Sequence, residues 1–201
     1  IKCIIFIIFF LNKVLKNICE GKSQRSELDF WDVQFLESAT KVYEYRKLIS
    51  DFFKMHIEEL QQYFFWKVDS LEFLYQSKTD FADIKKSLSE YLTNNREKEI
   101  LLRKTLRGPH LDDFTILVDS KDLIHFASRG EVKSIILGLK FLETWFLKLY
   151  SKKSNIIFLI DDLLSELDTE HRDLLLHHIN GHQSIISSIE DVWFEGNKIY
   201  I

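Results

Sequence analysis

Residues 156–162 read IIFLIDD. Five apolar residues in succession predict a β-strand covered on both faces, which is typical of the parallel sheets of α/β proteins. Two carboxylates follow the strand, and the carboxyl edge of such a sheet is where α/β proteins bind their ligands. There, one carboxylate can hold Mg²⁺ while the next orients an attacking water in nucleotide hydrolysis. Equally, Asp161 and Asp162 can be no more than the polar end of a strand before a turn.

The chain around this stretch alternates strands with helices. Gly108-Pro109 marks a break, and Asp168 is the expected N-cap of a helix. Apolar patterning predicts helices over 131–150 and 169–179. It predicts strands over the following ranges: 114–118, 123–126, 156–160, 184–187 and 198–201. Buried strands that alternate with helices predict an α/β layer for residues 108–201.

Residues 12–107 have a different, mainly helical pattern. Apolar residues recur three and four apart in 33–60 and again in 80–103, whereas residues 70–77 alternate as a single strand does. This region is predicted to form a helical arm domain. Residues 1–11 are an almost unbroken apolar run that is too short to span a membrane. We expect this run to be the product of a frameshift or of a wrongly joined reading frame.

The composition excludes several classes of protein. The 201 residues include 27 Lys and Arg against 31 Asp and Glu, and the formal net charge of −4 disfavours a small, uniformly basic nucleic-acid binder. The 2 cysteines form no C-x-x-C pair, which fits a reducing cytoplasm. None of the 6 glycines stands in a G-x-x-x-x-G-K-[ST] or G-x-G-x-x-G motif, so the sequence contains no phosphate-binding P-loop and no dinucleotide fingerprint.

A local basic cluster lies near the end of the helical region. Its members are Arg96, Lys98, Arg103, Lys104 and Arg107, with two glutamates among them. The cluster is compatible with contacts to nucleic-acid phosphates. It is also compatible with a solvated helix face, which is the commoner case.

Residues 127–133 read ASRGEVK and form a second stretch of chemical interest. Ser128 and Gly130 make a turn directly before the long predicted helix. The free N–H groups and the dipole of a helix start attract anions, and the Ser128 hydroxyl is a further donor. In the simpler interpretation, Ser128 is only the N-cap of that helix.

Four segments become informative when they are taken together: LDFWD at 28–32, GPHLDD at 108–113, FASRGE at 126–131, and LIDD running on to SELD at 159–168. They resemble the ABC-type ATPases, the class that includes the SMC and Rad50 heads, and within it the RecF family of bacterial DNA replication and repair proteins. The last two segments resemble the signature motif, the Walker B strand and the D-loop. The resemblance implies an α/β fold, the C-terminal lobe of an ABC/SMC-type ATPase head, preceded by a mainly helical arm.

The resemblance also implies a role for the residues of these motifs. Asp161 resembles the Walker B carboxylate that holds magnesium, and Asp162 resembles the catalytic carboxylate. Ser165 and Asp168 resemble D-loop residues at a dimer interface. Leu111 departs from the family pattern, because the usual motif has arginine there. The signature residues, which would bind the γ-phosphate of ATP held by the opposite subunit, are Ser128, Arg129, Gly130 and Glu131.

As the resemblance implies, the intact protein would bind ATP and Mg²⁺, dimerise on ATP, and bind DNA at single-stranded gaps and at junctions of double- and single-stranded DNA. It would help to load RecA there with RecO and RecR, in the cytoplasm and without a membrane partner. The chain itself, which has no Walker A motif, is not expected to hydrolyse ATP alone. Two other hypotheses are another SMC- or Rad50-like head and a truncated, non-catalytic helical interaction module.

Overall fold

The computed structural model describes residues 2–63, 68–150, 156–164 and 167–188. The helices are α1 (Lys2–Cys19), α2 (Glu27–His56), α3 (Ile84–Leu102), α4 (Leu123–Phe126), α5 (Arg129–Tyr150) and α6 (Thr169–Ile179). The strands are β1 (Leu71–Gln76), β2 (Asp113–Val118), β3 (Lys121–Asp122), β4 (Ile157–Asp161) and β5 (Gln183–Ser187). Short 3-10 segments follow α2 at Ile57–Tyr63 and precede β2 at Pro109–Leu111.

The chain divides into two compact units. Unit 1 consists of Ile1–Asp51 and Phe73–Thr115, and unit 2 consists of Phe52–Glu72 and Ile116–Ile201. The domain boundary expected at Gly108-Pro109 stays a prediction.

Unit 1 has a core to which the apolar start of the chain contributes. The buried residues of α1 are spaced three and four apart on one face: Ile4, Ile7, Ile8, Leu11, Val14 and Leu15. They pack in one hydrophobic cluster with Phe35, Ala39 and Tyr43 of α2 and with Leu88 and Leu92 of α3. The expected frameshift origin of residues 1–11 stays a prediction. No helix among the described residues is long and apolar enough to cross a membrane.

Unit 2 contains a parallel pair of strands with helices on one face. β4 pairs with β5 in the register that sets Asp161 opposite Ser187. Residues of β4, α5, α6 and the loop after β4 share a hydrophobic core: Leu137, Phe141, Ile160, Leu164, Leu167, Leu175 and Ile179. A parallel strand pair packed against helices is the α/β arrangement that the sequence predicts.

One face of the β4–β5 pair is open, and this corrects a prediction. Ile157, Leu159 and Ile185 are 53%, 76% and 61% exposed. They alternate with residues that face the helices, because α5 and α6 pack only against the side that carries Ile160. The prediction that the strand at 156–160 is covered on both faces is therefore wrong for the described part of the chain, and the strand at 184–187, predicted as buried, exposes Ile185 on the same face.

A second correction concerns residues 123–126, which the sequence predicts as a strand and which form helix α4. β3 is only two residues long and pairs with the end of β2. Asp119 and Ser120 between them have positive φ of 49° and 63°, as a tight hairpin turn requires. The Asp122 carboxylate then accepts from the N–H of Ile124 at 3.1 Å, so a helix begins where an extended strand was expected.

Other predicted elements are confirmed. The helix predicted over 131–150 begins two residues earlier, at Arg129, and ends at Tyr150. Asp168 caps α6 as predicted, because its side chain accepts from the N–H of His171. Residues 198–201, predicted as an edge strand, lie outside the described residues.

Candidate functional site

The turn that leads into α5 is held by a capping box. The Glu131 N–H donates to the Ser128 hydroxyl oxygen at 3.3 Å, and the Ser128 N–H donates to the Glu131 carboxylate at 2.6 Å. Each side chain thus satisfies one of the backbone donors that a helix start leaves unpaired. The N-cap interpretation of Ser128 is confirmed, and these bonds do not use its hydroxyl hydrogen.

The same turn is open to solvent. Ser128, Arg129 and Gly130 are exposed, and a side chain placed on Gly130 would meet nothing within 4 Å. An external group can therefore approach the backbone at the start of α5, where N–H groups and the helix dipole favour negative charge. The geometry is compatible with anion binding as well as with capping, so the two interpretations do not compete.

The two consecutive carboxylates lie at the carboxyl edge of β4. Asp161 ends the strand, and its Oδ1 accepts from the Ser187 hydroxyl at 2.6 Å. The Asp162 N–H lies 3.1 Å from that hydroxyl oxygen and 3.2 Å from the Ser187 carbonyl oxygen. Both aspartates are exposed. The end of β5 therefore fixes the backbone of this edge, and both residues are exposed to solvent.

Asp162 has a backbone conformation that is unusual for a residue with a side chain. Its φ is 46°, in the left-handed region, which aspartate and asparagine tolerate better than most non-glycine residues. Residues in such conformations persist where the surrounding structure holds them, and they gather at functional sites. Here the contacts with Ser187 hold the Asp162 backbone.

The donors at this edge fit magnesium that is bound together with a nucleotide. Mg²⁺ commonly takes one or two protein carboxylates and completes its shell with waters and substrate phosphates. Asp161 offers an exposed carboxylate of this kind, oriented by Ser187. Among the described residues, no group of three or more His, Cys, Asp or Glu side chains is arranged to hold a metal ion.

Asp168 is tied to the start of α6 through one residue. Its Oδ1 accepts from the His171 N–H at 3.0 Å, and its two carboxylate oxygens lie 2.7 and 2.8 Å from the ring Nδ1 of His171. These bonds, the backbone N–H first, hold the pKa of the Asp168 carboxyl below its ordinary value. The Asp168 side chain is largely exposed. Ser165, the other residue of the predicted D-loop, lies outside the described residues.

Residues that sequence reasoning missed join Asp168 to the turn at 128–130, the predicted signature motif. The ring Nε2 of His171 contacts the hydroxyl of Ser134 on α5, and that hydroxyl lies 2.9 Å from the Gly130 carbonyl oxygen. The spacing Asp-x-x-His at a helix start is a usable signal for His171. No local signal identifies Ser134, or Ser187 at the end of β5, because their contacts join residues 37 and 26 positions apart.

The predicted basic cluster is largely engaged within unit 1. Arg96 lies between two carboxylates, with nitrogens 2.5 Å from Asp32 and 3.0 Å from Glu99. Arg103 lies 3.5 Å from a glutamate carboxylate, and Arg107 stacks 4.3 Å above a tyrosine ring. These arginines already contact groups of unit 1, so the phosphate-contact hypothesis retains chiefly the two lysines of the cluster.

The GPHLDD segment at 108–113 is anchored in unit 1 by its first aspartate. The Asp112 side chain is buried, and it accepts from the Tyr75 hydroxyl at 2.6 Å. Arg46 lies 3.7 Å from the same carboxylate oxygen. Leu111, which stands where the resembled motif has arginine, is exposed. This difference therefore lies on the surface of the loop, and the anchor at Asp112 is intact.

No protein-family model matches the chain. The chain is 28% identical over 192 residues to DNA replication and repair protein RecF of Lachnospira eligens, 30% over 187 residues to that of Moorella thermoacetica and 31% over 185 residues to that of Clostridium perfringens. The alignments include 94%, 92% and 90% of this chain. The chain is thus similar in sequence to RecF over about nine tenths of its own length. It spans about half the length of these relatives, namely 52%, 49% and 50%.

The RecF-like chain also matches solved structures. It superimposes on the structure of the recombination mediator protein RecF-ATP in the RecFOR pathway with a TM-score of 0.70, at 23% identity over 95% of this chain and 52% of that one. For the RecF-ATPrS structure the TM-score is 0.71, at 22% identity over 94% and 52% of the two chains. These matches confirm the predicted α/β, RecF-like fold.

Proposed function

We propose that this RecF-like chain is the part of an ABC-type ATPase that supplies the catalytic carboxylates and the signature motif. The proposal rests on one observation: unit 2 contains both an exposed pair of carboxylates at the end of β4 and an exposed helix start at 128–130 that Glu131 caps. Hydrogen bonds within unit 2 fix the backbone at the carboxylate pair and at the helix start. The P-loop, which the 201 residues do not contain, would come from the remaining half of the complete protein.

At the edge of β4, the two aspartates would have different tasks. Asp161, oriented by the Ser187 hydroxyl, would hold Mg²⁺ directly or through one of its waters. When bound, Mg²⁺ neutralises charge on the phosphates. Asp162, whose backbone Ser187 fixes, would orient the attacking water. Phosphoryl transfer depends mainly on such positioning and charge stabilisation.

The start of α5 would bind the γ-phosphate of ATP held by an opposite subunit. The backbone N–H groups and the Ser128 hydroxyl are donors for phosphate oxygens, and the open side of Gly130 admits the ligand. Arg129 would add a positive charge, and Glu131 holds the turn through the capping box. The active species would then be an ATP-dependent homodimer with the D-loop at its interface.

The relatives suggest where this activity is used. They are named DNA replication and repair proteins, and the solved structures describe a recombination mediator in the RecFOR pathway. On this basis, the complete protein would work in the cytoplasm with RecO and RecR and would bind DNA at gaps and junctions. Arg96 would not contribute to DNA binding, because two carboxylates already engage it.

The test is Asp162→Asn in a reconstituted full-length protein that carries a P-loop. Asparagine keeps the size of the side chain and tolerates positive φ, so only the charge is lost. ATP turnover should fall about 100-fold or more, as expected for loss of a general base, while ATP-dependent dimers persist or accumulate. Asp173→Asn, an exposed aspartate on α6, is the matched control and should leave turnover unchanged. Normal turnover in Asp162→Asn would refute the catalytic assignment.

A further inference from the structure

A series of contacts connects α6 to the first turn of α5 inside unit 2. The Asp168 carboxylate contacts Nδ1 of His171 at 2.7 and 2.8 Å, and Nε2 of His171 contacts the Ser134 hydroxyl. That hydroxyl lies 2.9 Å from the Gly130 carbonyl oxygen. His171 is 7% and Ser134 1% exposed, whereas Asp168 and Gly130 at the two ends are exposed. The contact between His171 and Ser134 is thus shielded from water, whereas Asp168 and Gly130 are exposed to solvent.

The three side chains are those of the Ser-His-Asp triad of hydrolases, but the geometry excludes nucleophilic catalysis. A nucleophilic serine needs an accessible oxygen with oxyanion donors beside it. The Ser134 hydroxyl is buried between α5 and α6, and a carbonyl of its own helix engages it. A substrate cannot reach this oxygen, so the three side chains can only position parts of the protein relative to one another.

We propose that His171 is a positioning residue that couples Asp168 of the D-loop to the signature turn at Gly130, through Ser134. The inference rests on the proposed function, because that function assigns the two outer residues to the dimer interface and to the γ-phosphate. A displacement of Asp168 by the opposite subunit acts directly on the His171 ring, which abuts Ser134 in α5. The start of α5 is then aligned for phosphate only when the interface is formed.

Ser134 gives this connection two discrete settings. Its single hydroxyl hydrogen is donated to the Gly130 carbonyl oxygen when Nε2 of His171 carries a hydrogen and donates to the Ser134 oxygen, and to Nε2 when that nitrogen carries none. In the first setting, the serine ties the first turn of α5 to its second turn. In the second, it turns to the ring, and the Gly130 carbonyl keeps only the backbone bond of the helix. Coupling between two sites requires an element with two arrangements that both sites bias, and the hydroxyl provides one.

The first experiment tests the connection without nucleotide. Ser134→Ala and His171→Asn are compared with Thr144→Val, which removes another buried hydroxyl of α5, one that donates to the Lys140 carbonyl at 2.8 Å. Hydrogen exchange of the backbone amides at 131–134 should rise at least about fivefold in the first two variants and change less than about twofold in the control. The ¹⁵N resonances of the His171 ring should also shift in Ser134→Ala. Equal exchange in all three variants overturns the connection.

The second experiment measures ATP-dependent dimerisation of a reconstituted full-length protein that carries a P-loop. Ser134→Ala and His171→Asn should weaken the dimer at least about fivefold, the lower end of usual coupling between sites. ATP binding by the separate subunits should change less than about twofold, because the P-loop is not touched. If His171 and Ser134 have only a structural role, the loss of dimer affinity should scale with the loss of melting temperature in all three variants, Thr144→Val included. That result, or an unchanged dimer affinity, overturns the proposal.

The two experiments distinguish a failure of this inference from a failure of the proposed function. If the wild-type protein dimerises and hydrolyses ATP but the variants dimerise equally well, the coupling alone is refuted. If the wild-type protein does not dimerise on ATP, the proposed function is refuted and the coupling with it. In that case the exchange data still report whether His171 holds the start of α5.

Discussion

Unit 1 contains a buried charged residue, Glu99, whereas the charged residues at the candidate site of unit 2 are exposed. Glu99 in unit 1 is 0% exposed and pairs with Arg96. Asp161 and Asp162 in unit 2 stand exposed at a strand end. The sequence alone does not distinguish Glu99 from Asp161 and Asp162, because all three are acidic residues within or beside apolar segments. Burial separates charges that stabilise a fold from charges that are available to a ligand.

The physical reason is desolvation. A buried charge costs several kcal/mol unless a partner and hydrogen bonds compensate it. Burial accordingly raises the pKa of the Glu99 carboxyl, and the Leu106 N–H and Arg96 oppose that rise. An exposed carboxylate has no such cost, so its replacement usually changes stability by about 0.5 kcal/mol or less. Substitutions in unit 1 should therefore impair folding, whereas those at the edge of β4 should impair chemistry.

The largest loss of stability is expected for Glu99→Ala. The change removes one partner of Arg96 and the acceptor of the Leu106 N–H, which donates to Glu99 at 2.9 Å. Breaking a buried ion pair costs about 3–5 kcal/mol, and the free energy of unfolding in a urea titration should fall by that amount. Glu97→Ala is the control on the same helix, because Glu97 is 72% exposed where it pairs with Arg25, and should leave stability nearly unchanged. Equal losses in the two variants would contradict the role assigned to burial.

A smaller loss is expected for Asp112→Ala, which removes the anchor of the GPHLDD loop. Burial first, and the hydrogen bond to Asp112 next, raise the pKa of the Tyr75 phenol. Its hydroxyl therefore stays protonated and donates to the Asp112 carboxylate at 2.6 Å. Losing a hydrogen bond to a charged group costs about 1.5–3 kcal/mol. The midpoint of urea unfolding should fall accordingly, while Asp113→Ala, at the exposed neighbour, should leave it nearly unchanged. A loss no greater than in this control would show that Asp112 is not an anchor.

The elements of unit 2 follow from the sequence where local rules decide them. Apolar spacing predicts the helix at 131–150, and the capping preference of aspartate predicts its contact at Asp168. The error at 123–126 has a local cause as well. A run of four apolar residues suits a strand or a helix, and the decisive hydrogen bond to Asp122 does not appear in the apolar pattern.

Contacts between distant segments are not encoded in such patterns. Gly138 illustrates this, since an interior glycine weakens a helix by about 1 kcal/mol relative to alanine and the sequence gives no reason for it. In the structure, a Cβ at Gly138 would lie 3.1 Å from a methyl carbon of Leu60, so the glycine permits the close approach of α5 to the 3-10 segment. The contacts of Ser187 with the carboxylate edge and of Ser134 with His171 are likewise properties of the folded chain.

The smallest stability effect is expected at His178 of unit 2, which is half-buried and so lies between the buried Glu99 and the exposed aspartates at the end of β4 in its contact with water. Its ring stacks on Phe141 with centroids 3.6 Å apart, and its Nε2 has no hydrogen-bond partner among the described residues. Burial first, and the charge of Lys148 next, lower the pKa of His178 from 6.5 to about 4. The unfolded chain therefore binds a proton at His178 below pH 6.5, whereas the folded chain binds it only below about pH 4.

Stability from this residue is accordingly complete above pH 6.5 and is lost as the pH falls towards 4. The loss should be about 1–2 kcal/mol, less than the full linkage value, because solvent screens a partly exposed ring. His178→Leu should abolish this part of the pH dependence of the unfolding free energy, since leucine keeps the apolar contact with Phe141 and cannot titrate. His177→Leu, at the exposed neighbour on α6, should keep it. If the two variants gave parallel pH profiles, His178 would not contribute to the pH dependence. Its ring would then be reached by water in the folded chain and would bind a proton at the same pH as in the unfolded chain.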